Sequence, residues 1–442
     1  MDWITRLNAD EKKTWCEKRN TTKFYRLYTS VRGSQLKGCS TSLLGRIRPD
    51  HVIYLLKCLN IQDVHGFLEH LDFKPQHRSI CLSIKKFQTL LILDSTECLT
   101  ALGFSFSSLP LPPHLSRLAL LGVVFSCLDP VLSIVAVLVT QQDPFDETQP
   151  ENLPSFKSKL NRGSLSDHIS WVRALAWYQK LLPRESKTSL MNLCESAGLL
   201  HDSLALLHSV KVYLACHLAR SGYVRNERLD DPEVNVNAAC ERLLEALVYA
   251  GLYPNVAVVR SARKVVISKL MTVTFHPTSV YQSSAERNTQ DERKFLVYSH
   301  CYGTDMRSPE EKIFIRDVTP VPSMAAILFS HDFHIPSRKP YKFSLNEKAF
   351  HFRCANEEIA NFIQNLRLRM NEIVENSIVN HNIIDWRVQS RDVQVLRCAL
   401  ELLSNKENVC KVTTLEQKDL NLKKKTNSSQ GKNKHNIKNM SK

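Results

Sequence analysis

Residues 117–140 read RLALLGVVFSCLDPVLSIVAVLVT, an almost wholly apolar run about as long as a bilayer span, with Asp129 and Pro130 near its middle. A spanning helix needs about 20 apolar residues with few or no charges, and an ionised Asp at its centre costs about 2.5–3.5 kcal/mol on insertion scales. The same two residues suit a helix boundary: a carboxylate at position 129 caps free backbone N–H groups, and Pro130 brings no donor that a first turn would leave unpaired. The stretch therefore reads as two core helices, one ending near Cys127 and the next starting at Pro130, and no membrane partner is expected.

Helical spacing extends on both sides, over 116–253, broken by loops at TQQDPFDETQPENLP and SGYVRNERLDDPEVN. In ACERLLEALVYAGLYPN, Leu243, Leu244, Leu247 and Val248 share one face, and Gly251 stands where a left-handed turn would end the helix before Tyr253 and Pro254. Upstream, residues 24–29, FYRLYT, alternate aromatic or apolar with polar groups and are expected to form a short strand; the chain would then begin mid-fold, with 1–35 the last piece of a preceding domain. Over 36–115 three helical patterns (PDHVIYLLKCLNI, VHGFLEHL, HRSICLSIKKFQTLLILD) give way to a turn with Leu99 and Gly103, the arrangement of a small winged helix with a terminal hairpin.

After residue 254 the hydrophobic period changes. KLMTVTFHPTSVY, KFLVYSHCYGT, EKIFIRDVTPV and KPYKFSLNEKAFHFRC are short alternating or aromatic-rich runs, the last divided by Asn346 and Glu347 into a hairpin, so a compact β-barrel is expected over 254–354. SMAAILFS interrupts it as a helix or a strand. Asn356, Glu357 and Glu358 suit a helix start, after which Ile359, Phe362, Ile363, Leu366, Met370, Ile373 and Val374 recur at helical spacing; a second helix, 392–403, completes a helical end over 355–404. Residues 405–442 turn polar, and from Lys423 onward the lysines occur without acids. This segment is expected to be a disordered tail that binds phosphates or keeps the chain soluble. The fold class is thus multidomain, mainly α followed by a small β-barrel, with C-terminal helices.

The 442 residues carry 59 Lys and Arg against 44 Asp and Glu, a formal charge of +15. A surplus of this size points to a polyanion, with RNA, DNA and an anionic membrane surface all compatible. Thirteen scattered cysteines, without a C-x-x-C pair or a His/Cys cluster at zinc-ligand spacing, read as reduced thiols of a cytoplasmic or nuclear protein, and no metal is expected. The N-terminus has neither a signal core nor a transit-peptide pattern.

In collinear order, FYRLYT, the LTALG turn, CLDPVLSI, LSDHISWVRALAWY, ALVYAGLYPNVA, FHPTSV, FLVY, IFIRDVTPV and ILF resemble the C-terminal half of the DEAH/RNA-helicase-A-type RNA helicases over residues 24–375. The resemblance implies a winged helix, a helical ratchet domain and an OB-fold packed against two RecA-like motor domains, with single-stranded RNA threading between motor and accessory domains. A glycine-patch-type regulator is a further implied partner. No G-x-x-x-x-G-K-[ST] loop and no D-E-x-H-like pair occurs in the 442 residues, and the arginine-rich motif expected ahead of FYRLYT is replaced by LNADEKKTWCEKRN. The expected function is RNA binding beside a motor absent from this chain. ATP and Mg would be cofactors of that motor only, and no residue here is expected to be catalytic. The alternative is a stand-alone, non-enzymatic RNA-binding or scaffold protein; an in-frame phosphate-binding motif upstream of Met1 would separate the two.

Ser166, Asp167 and His168 stand together in LSDHISW, but adjacent residues cannot line up as nucleophile, base and orienter, so the segment is expected to cap a helix. His331 and His334 in HDFH are too few for a metal site and fit a loop. The TFHPTSVY turn is either a plain connection between strands or, by the resemblance, part of an RNA path. His276, Thr278 and Ser279 would then offer donors to phosphate or 2′-hydroxyl groups, and Tyr281 would stack on a base. Arg260, Arg263 and Lys264 would steer a backbone into the groove. Arg316 and Asp317 are expected to fix a loop of the barrel, and Tyr25 and Arg26 to face the motor.

Overall fold

The computed structural model describes residues 4–17, 22–38, 48–72, 74–147, 153–261, 264–267, 271–281, 295–303, 312–331, 333–334, 342–345, 350–404 and 411–414. They fall into two units, 1–100 and 101–442. No described helix is long and apolar enough to cross a membrane.

The first unit holds α1 (Arg6–Glu17), α2 (Ser30–Ser34), α3 (Asp50–Cys58), α4 (Val64–Glu69) and α5 (His77–Thr89), followed by a bridge between Leu93 and Leu99. Its core is built from Ile53, Tyr54, Leu68, Ile84 and Phe87. Asp63 starts α4 by accepting the Gly66 N–H at 2.8 Å, and Asp50 at the head of α3 pairs with Lys86 of α5 at 2.8 Å. Residues 24–29 are not a strand: they form no ladder with a described strand, and Leu27 is 96% exposed. Alternation sorts side chains to two faces, but the backbone still needs a neighbouring strand to pair with.

The second unit begins with α6 (Ala101–Ser105), α7 (Pro113–Val124) and α8 (Leu128–Thr140), then α9 (Leu153–Asn161), α10 (Asp167–Leu181), α11 (Lys187–Ser196), α12 (His201–Arg220) and α13 (Glu241–Leu252). The apolar run 117–140 is two helices, with a corner at Phe125–Cys127 in which Ser126 takes a left-handed φ of 48°. Asp129 does not cap α8, whose cap position is Cys127. Its carboxylate instead pairs at 2.6 Å with Lys211 of α12, a lysine with no exposed surface, because a buried ammonium needs a counter-charge more than a first turn needs a cap. Nor does Gly251 end α13 with a left-handed turn. It lies inside the helix, where a Cβ would stand 2.8 Å from Leu118 Cβ. Every residue from Leu243 to Leu252 is buried.

Beyond α13 the chain forms a closed five-stranded barrel from β1 (Val256–Ser261), β2 (Lys264–Ile267), β3 (Met271–Phe275), β4 (Phe295–Gly303) and β5 (Ile313–Val321), in the order β1-β2-β3-β5-β4. All its pairings are antiparallel except β3 with β5. Ala257, Val265, Val273, Leu296, Ile315 and Val318 fill the interior, so the alternating pattern is satisfied by burial of one face.

The SMAAILFS interruption is a helix, α14 (Ser323–Phe329). The KPYKFSL/AFHFRC hairpin, β7 (Lys342–Leu345) with β8 (Phe350–Arg353), is not part of the barrel: with β6 (Phe333–His334) and β9 (Lys411–Thr414) it makes a separate sheet. A barrel already closed by β4 pairing with both β1 and β5 offers no edge for it. The Asn346–Glu347 turn lies outside the described residues. β9 places four residues of the expected disordered tail in a strand; 415–442 also lie outside the described residues. Asn356 caps α15 (Glu357–Val379) by accepting from Ile359 N–H at 2.9 Å. After α16 (Arg391–Ser404) is added, the fold is mainly helical, then a five-stranded barrel, then C-terminal helices.

Candidate nucleic-acid interface

LSDH is the junction between the helical part and the barrel. Ser166 caps α10, its Oγ accepting the Ile169 N–H at 3.1 Å while bonded to Thr319 Oγ1 at 2.6 Å. Asp167 accepts three hydrogen bonds: from Ser279 Oγ at 2.6 Å, Val280 N at 3.0 Å and Val318 N at 2.9 Å. His168 bonds Thr319 Oγ1 through Nδ1 at 2.7 Å and Ser299 Oγ through Nε2 at 3.0 Å. All three are at most 1% exposed. The serine hydroxyl is committed to a cap and the imidazole to two hydroxyls, so the trio is architectural, as its spacing implies.

Beneath it lies Lys157, also 1% exposed, with Nζ 3.9 Å from Asp167 and 3.8 Å from Asp143. Burial works against the Lys157 ammonium, but Asp143 and Asp167 outweigh it and hold the proton more tightly than usual. Burial lifts the Asp167 carboxyl above the usual range, with Lys157 opposing. Burial pushes His168 down to about 4, so its ring is neutral at pH 7.

This junction decides what the HPTSVY turn presents. Thr278, Ser279 and Tyr281 are 4%, 2% and 8% exposed. Ser279 is spent on Asp167, and Tyr281 packs into the barrel core against Phe275, their rings 5.0 Å apart. In this structure these three side chains do not face a solvent-borne strand, contrary to the expectation, because this turn is packed against the buried Asp167 carboxylate and the barrel core. His276 is different. Half-buried and bonded through Nδ1 to Thr278 Oγ1 at 2.6 Å, it lies 5.9 Å from the Tyr302 ring and 6.4 Å from Phe314. Tyr302 and Phe314 are directly opposed on β4 and β5, stacked at 6.1 Å, and Tyr302 is 42% exposed. Burial, helped by the Arg316 charge, lowers the His276 pKa and favours a neutral ring.

His276, Tyr302 and Phe314 thus form an aromatic platform at one end of three strands. Tyr302 and Phe314 were missed by sequence reasoning. No local signal in the sequence marks them: β4 passes from buried residues at 295–298 to exposed ones at its end, leaving Tyr302 outside the core, only once the sheet has closed.

The platform borders a cleft of ≈ 760 Å³ between α8, α10 and the barrel, lined among others by Gln141, Glu147, Trp171, His300, Tyr302 and Arg316. Trp171 Nε1 is buried there with no hydrogen-bond partner. Arg316 does not fix a barrel loop. It reaches across the cleft to Glu147, and lies 3.4 Å from Asp143 and 3.5 Å from Asp317. Although burial works against it, these carboxylates hold its guanidinium charged. Asp317, in a left-handed backbone (φ 56°), faces His300 Nδ1 at 3.5 Å.

Arg260 is in β1 and Lys264 begins β2; Arg263 lies between them, outside the described residues. Arg26 pairs with Asp10 at 2.8 Å, and Tyr25 is 72% exposed. His331 follows α14 and is kept neutral by burial and by Arg117 and Arg367; His334 is in β6.

Two family models match the chain in this order: "Helicase associated domain (HA2), ratchet-like" over residues 112–171, and "Oligonucleotide/oligosaccharide-binding (OB)-fold" over 244–333. The second covers the whole barrel and the platform. Among curated proteins, the chain is 28% identical over 416 residues to the ATP-dependent DNA/RNA helicase DHX36 of Bos taurus, covering 92% of this chain and 40% of that protein. The Homo sapiens protein of the same name matches at 28% identity with the same coverage. The ATP-dependent RNA helicase DHX30 of Homo sapiens is 23% identical, covering 91% of this chain and 34% of that protein. The chain therefore spans about two-fifths or less of the length of these relatives. With ratchet-like helices, a closed OB barrel and helicase relatives matched along nine-tenths of its length, this chain carries the C-terminal helicase-associated and OB-fold accessory region of the DEAH-box helicases.

Proposed function

We propose that this region grips single-stranded RNA beside an ATP-driven motor, with bases stacked on the His276–Tyr302–Phe314 platform. The observation that carries the reading is that platform: three rings grouped at one end of an OB barrel, His276 from the turn after β3 and Tyr302 and Phe314 from β4 and β5, with Tyr302 well exposed and lining the cleft. Ring stacking is tolerant of base identity because every base has a π-face. Unpaired RNA is favoured over duplex, since stacked and paired bases cannot reach such a surface.

The cleft lining adds an orientation. Asp143, Asp146, Glu147 and Asp317 outnumber Arg316 there, so phosphates are repelled from its depth. A bound strand would turn its bases inward, where carboxylates and amides accept and donate hydrogen bonds, and keep its phosphates at the rim. The positive charge that meets those phosphates is proposed to come from Arg260, Arg263 and Lys264 of the sequence. ATP hydrolysis is assigned to RecA-like domains, whose phosphate-binding motif does not occur in these 442 residues.

The test is fluorescence anisotropy of a labelled single-stranded RNA with the full 442-residue chain across a salt series. About micromolar, salt-sensitive binding that favours single strand over duplex is expected. Equal affinity for duplex, or affinity independent of salt, would overturn the reading, as would RNA-stimulated ATP hydrolysis by these residues alone.

A further inference from the structure

A second cluster, in the first unit and unrelated to the RNA reading, has the chemistry of a metal centre. His77 and Cys81 lie one turn apart on the same face of α5. His65, on α4, meets them: the two imidazole rings are 4.9 Å apart and tilted by 35°, and Cys81 Sγ is 3.6 Å from His77 Nδ1. One ligand atom from each of the three residues lies within 4.8 Å of the others. We propose that His65, His77 and Cys81 bind a zinc ion that staples α4 to α5, with a fourth position left to water or an incoming donor.

Tetrahedral zinc takes thiolate sulfur at about 2.3 Å and imidazole nitrogen at about 2.0–2.1 Å, which sets the sulfur-to-nitrogen edge at about 3.6 Å and the nitrogen-to-nitrogen edge at about 3.3 Å. The sulfur-to-nitrogen edge is already in place. Closing the remaining edges asks for a shortening of at most about 1.5 Å, small for side chains that are exposed or half-buried. His65 Nδ1 is a second, independent sign: it is buried without a hydrogen-bond partner, an arrangement that costs free energy until a donor, a proton or a metal satisfies it.

A weak S–H···N hydrogen bond accounts for the Cys81–His77 pair but leaves His65 unexplained. The donor set of two imidazoles and one thiol selects a borderline-soft ion over magnesium or calcium, which take oxygen ligands. Binding converts the thiol to a zinc-bound thiolate and releases its proton to solvent. The centre is hidden in sequence because eleven residues separate His65 from His77, a spacing unlike that of the compact ligand pairs of zinc fingers.

The experiment titrates Co²⁺, then Zn²⁺, into the chelator-treated 442-residue chain. One equivalent of Co²⁺ should bind with a thiolate-to-cobalt charge-transfer band and tetrahedral d–d bands, both erased by Zn²⁺. C81S should abolish the charge-transfer band, H65A and H77A should each weaken binding at least tenfold, and C98S, in the same unit, should leave the titration unchanged. Independently of any variant, Zn²⁺ should slow alkylation of Cys81 at least tenfold in peptide mapping of the natural chain. A charge-transfer band that survives C81S, or alkylation of Cys81 at the same rate with and without Zn²⁺, would overturn the proposal.

Discussion

Asp167 Oδ2 accepts the Ser279 hydroxyl hydrogen at 2.6 Å, joining the first residue of a ratchet helix to a barrel turn 112 positions further along the chain. The same carboxylate holds the Val280 and Val318 amides and faces the buried Lys157 ammonium. The platform of His276, Tyr302 and Phe314 rests on elements that this one side chain ties together: the turn carrying His276 and the strand carrying Phe314.

D167A should therefore be among the most damaging single substitutions in the second unit. It strands two buried N–H groups and removes one of the two carboxylates facing Lys157, a loss of about 3–5 kcal/mol. Urea denaturation followed by tryptophan fluorescence reads it as an early-shifted transition. A midpoint like that of the natural chain would show that the junction is not a point of stability.

How much of this was legible in the sequence follows from the range of each interaction. That Ser166 begins a helix is a matter of three consecutive residues and a cap, so it could be read directly. That Asp167 reaches residues 279, 280 and 318 could not, because nothing local distinguishes a capping carboxylate from one that welds two domains. Asp129 failed in the same way: its partner Lys211 lies on another helix. The barrel was legible as a change of period, but FYRLYT shows the limit of that signal, since alternation without a neighbouring strand forms no ladder. At the candidate site, polar residues in the turn drew attention while Tyr302 and Phe314 did not, because which aromatic side chains remain outside a barrel is settled by closure of the whole sheet.

Gly251 illustrates a tertiary requirement that resembles a local one. Sequence grammar makes it a helix stop, whereas the structure makes it the place where α13 touches α7. G251A should gain about 1 kcal/mol in helix propensity and lose about 1–3 kcal/mol by forcing Leu118 or the helix axis aside. The expected net result is a lower thermal midpoint. A raised midpoint would mean that the two helices separate at little cost.

His168 predicts a pH dependence with a definite sign. Its folded pKa, about 4, lies below the ordinary value of 6.5, so between those values the unfolded chain binds more protons and stability rises with pH. The contribution is complete above pH 6.5, is lost as pH falls toward 4, and amounts to about 3 kcal/mol. H168Q retains a donor and an acceptor for Thr319 and Ser299 but cannot titrate. Whatever H168Q costs at pH 7, its disadvantage relative to the natural chain should shrink by about that amount at pH 4, since the other buried histidines are common to both proteins. A difference between the two that stays constant from pH 7 to pH 4 would contradict the buried, neutral assignment.

Stacking and charge should separate cleanly in RNA binding. Y302A removes a π-face and no charge, so it should weaken binding by about 1–3 kcal/mol per base stacked while leaving the slope of affinity against salt unchanged. The triple change R260A/R263A/K264A removes three positive charges and no ring; each phosphate no longer neutralised should flatten that slope by about 0.7. S279A serves as the structural control: its hydroxyl is committed to Asp167, so the variant should lose stability yet bind RNA normally at temperatures where it remains folded. If S279A weakened binding as much as Y302A at full occupancy of the folded state, the RNA path would have to run through the buried turn, and the platform would lose its role.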